Sequence, residues 1–114
     1  MDSIQITAKF TLYSTDNGGR KTAITTGYRP NHVFEYDNKG SFKQTFIGQI
    51  DFNKDRWILP GESEIVTVQF LRLFDIEKHI SVGRKWWIHE AQNKIGEAEI
   101  IEINSNMPQQ ADDD

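Results

Sequence analysis

Ile4, Ile6, Ala8, Phe10 and Leu12 alternate without a break with Gln5, Thr7, Lys9 and Thr11. This period of two restricts the chain more than any other feature. Successive side chains of a strand point to opposite faces, so the pattern specifies one strand with a core face and a wet face. No later segment carries a convincing helical period. Instead, short apolar runs are punctuated by turn residues: Asp16 to Arg20, Asp37-Asn38-Lys39-Gly40, Asn53-Lys54-Asp55-Arg56, Leu59-Pro60-Gly61-Glu62 and Ala91 to Lys94.

Between those turns the sequence predicts strands over Lys21 to Thr26, His32 to Tyr36, Ser41 to Phe52, Ile65 to Leu73, Lys85 to His89 and Ile95 to Ile103. Gly48 falls on the apolar face of its strand, which suggests a bend or bulge. Val66, Val68 and Phe70 lie on one parity and Ile65 and Leu71 on the other, so this strand reads as covered on both faces. Asp75 to Gly83 is the least regular stretch and reads as a loop rather than a helix. Six or seven short strands and no helix mean a closed barrel or a sandwich, and periodicity does not choose between them.

The chain has 114 residues, enough for one domain with a core, here residues 4–103, followed by a polar tail over 104–114 expected to be disordered. Cysteine is absent, which removes disulfides and thiolate metal sites. No apolar run approaches the length of a membrane span and no signal pattern opens the chain, so a cytoplasmic protein is expected. The formal net charge is −4, but Asp2 and Asp112-Asp113-Asp114 hold four of the 17 acids, leaving 13 against 13 Lys and Arg. A folded part this close to neutral announces no strongly basic nucleic-acid face.

Gly18-Gly19-Arg20-Lys21-Thr22 and Gly27-Tyr28-Arg29-Pro30 bracket one predicted strand, with an arginine at each end. The glycines suit a turn through positive φ, and Pro30 cannot donate to a ladder. Arg20 and Arg29 read as partner-facing, with Tyr28 between them. The alternative is that Arg29 stacks on an aromatic ring or pairs with a carboxylate inside the rim. Trp86 and Trp87 must face opposite sides of their strand, so one is core. The other is either exposed beside Arg84 and Lys85, able to fill a partner's pocket, or lies under Asp75 to Gly83, where Ile76, Ile80 and Val82 are apolar.

Chemistry is poorly provided for. His32 and Glu35 are three apart on a strand and face apart, as do the neighbours His89 and Glu90, so neither pair can share a metal ion or a proton. Nothing stands in a nucleophile motif. The expectation is a protein with no catalytic residue, no cofactor and no metal.

Four blocks in order, Phe10-Thr11-Leu12-Tyr13 with Gly18 to Thr22, Gly27-Tyr28-Arg29-Pro30, Leu59-Pro60-Gly61-Glu62 and Gly83-Arg84-Lys85-Trp86-Trp87-Ile88-His89-Glu90, resemble the C-terminal domain (domain III) of elongation factor Tu. The resemblance runs from Gln5 to Ile103. It implies a six-stranded antiparallel β-barrel, a cytoplasmic setting and a link to translation factors. In that family GTP is bound by a separate domain with a glycine-rich phosphate loop, and no such motif occurs here. The family's last hairpin, which meets the aminoacyl-tRNA stem, corresponds to Glu90 to Glu99. There Glu97 and Glu99, followed by Glu102, place negative charge where phosphates would approach. The function expected is therefore protein-protein association through Arg20, Tyr28, Arg29, Arg84, Lys85, Trp86 and Trp87, with a translation factor or GTPase component as partner. The alternative is a tRNA-stem-binding module that depends on Lys85 and Lys94.

Overall fold

The computed structural model describes residues 2–105. Six strands, β1 (Ser3–Leu12), β2 (Asn31–Val33), β3 (Phe46–Asp51), β4 (Ser63–Leu71), β5 (Lys85–Glu90) and β6 (Asn93–Ser105), form a closed barrel in the order β1-β4-β3-β2-β5-β6. Every neighbouring pair is antiparallel. The barrel closes because β1 pairs with β4 on one side and with β6 on the other, from Leu12↔Gly96 to Gln5↔Ser105. No sheet edge is left at the ends of the chain.

The core follows the alternation. Ile4, Ile6, Ala8, Phe10 and Leu12 are all buried and pack on Val66, Val68 and Phe70 from β4, Ile50 from β3, Trp86 and Ile88 from β5 and Ala98 and Ile100 from β6. At about 25 cal/mol per Å² of apolar surface, one such side chain contributes roughly 2 kcal/mol.

Several expected elements differ. Lys21 to Thr26 is not a strand: the segment touches the barrel through two isolated bridges, Ile24↔Ile58 and Tyr28↔Ile50. β2 stops at Val33 and β3 starts only at Phe46, because residues 34–45 form a loop that crosses the outside of β5. Gly48 is no bulge, for its pairing with Phe70 is regular. A Cβ there would lie 2.9 Å from His32 Nε2 and 2.8 Å from Phe70, so the glycine is required by close approach. β4 is not covered on both faces, since Ile65 is exposed on the outside of the barrel. Asp75 to Gly83 contains a 3₁₀ turn, Ile76–His79, which buries Ile76 and His79, whereas Val82 is exposed.

Asn104 and Ser105 belong to β6 and not to a tail. The expectation of disorder for 106–114 lies outside the described residues. No helix among the described residues is long and apolar enough to cross a membrane.

Antiparallel alternation sorts the connections by end. Loops 13–30 and 52–62 and the β5–β6 turn lie at the Leu12 end, and loops 34–45 and 72–84 lie at the Ser3 end.

Candidate functional site

At the Leu12 end the chain leaves β1 through a short 3₁₀ turn, Thr15–Asn17, capped by Gly18 at φ +87°. Gly19 is tighter still. A Cβ on it would stand 2.2 Å from the Tyr13 carbonyl oxygen, a contact only glycine avoids. This turn delivers Arg20 to the β5–β6 hairpin, where its guanidinium bonds Glu90 and also donates to the Thr22 carbonyl at 3.1 Å and the Thr22 hydroxyl at 2.8 Å. The Tyr28 hydroxyl donates to the same Glu90 oxygen, and the Arg20 guanidinium lies 5.5 Å over the Tyr28 ring. Burial, and then the Glu90 carboxylate, push the Tyr28 phenol above its usual pKa. Arg20, Tyr28 and Glu90 form a clamp that holds loop 13–30 against the barrel rim.

The structural role considered for Arg29 thus falls to Arg20. Arg29 is exposed and makes no ion pair or hydrogen bond among the described residues. Close by, Ile24 and Ile58 exchange two backbone hydrogen bonds, at 2.9 and 3.0 Å, with both side chains buried. Antiparallel geometry then puts Thr25 opposite Trp57 and Ala23 opposite Leu59, all four on the outward face. Trp57 is 61% exposed and Leu59 51%. Sequence reading passed over this pair in favour of Trp86 and Trp87. The signal was the run Trp57-Ile58-Leu59: with Ile58 inside, both of its neighbours must point out.

Arg84, Lys85, Trp86 and Trp87 lie elsewhere. They open β5 at the Ser3 end, so the structure does not join them with Arg20, Tyr28 and Arg29 into one rim. Arg84 donates to the Phe34 carbonyl at 2.6 Å and lies over the Phe34 ring. Lys85 is exposed, 4.0 Å from Glu97. Trp86 is in the core, stacked on Phe34, and donates its indole N–H to His32 Nδ1 at 3.0 Å. Trp87 faces outward and is half-buried, but its cover is Tyr36 from loop 34–45 rather than residues 75–83. The Lys94 ammonium stands 4.8 Å from the Tyr36 ring and 5.6 Å from the Trp87 ring. Outside the barrel, Tyr36, Phe42, Trp87 and His89 therefore make a small second cluster, in which the Tyr36 hydroxyl and His89 Nε2 are hydrogen-bonded at 2.5 Å.

The three histidines are separate. His32 is fully buried between the Trp86 indole and the Gly48 carbonyl, and burial lowers its pKa to about 4. His89 is lowered by burial and then by Lys94. His79 is stacked on Phe34 at 5.0 Å and makes no hydrogen bond among the described residues. Burial, and then the Arg84 guanidinium, hold it neutral against the opposing pull of Glu35. Among the described residues no three His, Asp or Glu side chains are grouped to hold a metal ion.

No family model matches this chain.

Proposed function

We propose that this chain is a cytoplasmic, non-catalytic binding module of the type its likeness to domain III of elongation factor Tu implies, working by association with a translation factor or GTPase component. The observation that carries the reading is the surface at the Leu12 end, where Trp57 and Leu59 stand in solvent beside a loop held in place by the Arg20–Tyr28–Glu90 clamp. A partly exposed tryptophan beside an unpaired arginine on a rigid support has the composition of an interface hot spot. Arg20 and Tyr28 serve as its scaffold and Arg29 as its charged contact.

A stem-binding reading has less support. Of the two lysines it needs, Lys94 is engaged by Tyr36 and Trp87, and Lys85 stands beside Glu97.

The test is affinity capture with the wild-type chain and with a Trp57→Ala/Arg29→Glu variant, using lysate and purified translational GTPases as prey. Retention of a translational GTPase by the wild type and its loss from the equally stable variant is the expected result. Equal retention by both, or no such protein in either, sinks the proposal.

A further inference from the structure

Between the two loops of the Ser3 end lies a cleft of about 140 Å³, lined by Glu35, Gln44, Phe46, Phe74, Lys78 and His79. We propose that this cleft binds one pyrimidine ring, uracil best, carried with its phosphate by a free nucleotide or by single-stranded RNA. The site is at the opposite end of the barrel from Trp57 and does not depend on the association proposed there.

Size comes first. A cavity of about 150 Å³ takes one benzene ring, so this cleft has room for a single six-membered ring. The polarity of the lining then excludes a plain hydrocarbon. His79 is only 4% exposed, yet its imidazole lines the cleft with no hydrogen-bond partner among the described residues. A buried polar group without a partner is costly, and a ligand that supplies one gains by it. Glu35 is the only carboxylate in the lining and can only accept, while Gln44 and the neutral His79 ring each offer N–H donors.

Uracil presents two carbonyl oxygens with one N–H between them. The carbonyls suit the N–H groups of Gln44 and His79, and the ring N–H suits Glu35. Cytosine carries a lone pair at that ring nitrogen, which would face the carboxylate, and a purine exceeds the volume.

The backbone adds a second argument. Phe74 and Asp75 are consecutive non-glycine residues at φ +57° and +58°, a conformation that costs of order 1 kcal/mol for each. Its result is to hold the Phe74 side chain 61% exposed at the mouth of the cleft, with Phe46 as the inner wall. Packing within the chain does not reward that placement, whereas a base stacked on Phe74 would. Lys78, exposed on the 3₁₀ turn, is the cation for the attached phosphate.

The experiment is a titration of the ¹⁵N-labelled chain followed by amide shifts, with uridine, cytidine, adenosine and guanosine monophosphates, glycerol phosphate, and tetranucleotides of uridine and of adenosine. Saturating shifts at residues 35, 44, 46, 74, 78 and 79, with uridine monophosphate tightest, are expected. Phe74→Ala should weaken that binding about ten-fold. Glu35→Ala should erase the preference over cytidine, while Trp57→Ala should change nothing here. Response to the uridine tetranucleotide alone would support the base site and assign RNA as its source. Absence of shifts in the cleft with every uridine ligand overturns the proposal, as does glycerol phosphate matching uridine monophosphate. Unchanged affinity in both Phe74→Ala and Glu35→Ala, each checked for an unaltered fold, overturns it as well.

Discussion

Lowering the pH from 7.5 to 5 should destabilise this barrel through His32 before carboxylate protonation dominates. His32 is wholly buried, accepts the Trp86 N–H at Nδ1 and donates from Nε2 to the Gly48 carbonyl at 3.0 Å. Those partners require the neutral ring, because a proton on Nδ1 would point at the indole N–H. Burial accordingly lowers the pKa from 6.5 to about 4. The unfolded state thus binds a proton that the folded state refuses, so the stabilisation is complete above pH 6.5 and is lost as the pH falls towards 4. Full loss is about 3.4 kcal/mol, from 2.5 pH units at about 1.36 kcal/mol each, and about 2 kcal/mol is gone by pH 5. His79 and His89, also lowered by burial, act in the same direction. The assay is urea unfolding followed by tryptophan fluorescence at several pH values, with the imidazole nitrogen shifts of His32 recorded in parallel. In His32→Leu the curve should lie lower at pH 7.5, since the indole N–H and the Gly48 carbonyl lose their partner at a cost of roughly 1 to 3 kcal/mol. It should also fall less steeply towards pH 5. A His32 that titrates near 6.5, or a variant with the slope of the wild type, would refute this reasoning.

Gly18 and Gly19 should respond differently to alanine. Gly18→Ala meets nothing within 4 Å and costs only its left-handed backbone, about 1 kcal/mol, whereas Gly19→Ala drives a Cβ into the Tyr13 carbonyl and should cost about 3 kcal/mol or more by thermal unfolding. Glu90→Gln keeps the shape of the clamp but removes the charge that Arg20 and Tyr28 share, and the urea midpoint should fall by the equivalent of about 1 kcal/mol at low salt and by less at high salt. Trp86→Phe should cost about 2 kcal/mol in the same measurement and shift the His32 nitrogen resonances, because Nδ1 loses its donor.

Much of this fold is legible locally. The alternation in β1, the polar turn after Leu12 and the glycines at 18 and 19 specify where strands and turns lie, since side-chain parity and backbone freedom are properties of a few neighbouring residues. The bounds of β2 and β3 were less legible, because residues 34–45 are as apolar as a strand. Their aromatics, Tyr36 and Phe42, pack on the outside of β5 and not in the core. The candidate site was less legible still. Arg20 and Arg29 look equivalent on paper, and only the presence of Glu90, 70 residues away from Arg20, makes one a clamp and leaves the other open to solvent.

The sequence by itself determined an all-β chain with one inward face per strand, required glycine at the turn after β1, and withheld cysteine and any nucleophile motif. Closure was decided by tertiary structure, because barrel and sandwich share the same alternation and differ only in whether β1 finds β6. So was the separation of the two arginine-bearing segments to opposite ends, which follows from strand direction. The exposure of Trp57 and the open ring of His79 belong to the same category. Burial and hydrogen-bond satisfaction are sums over groups that meet only when the chain has folded, and no local pattern carries them.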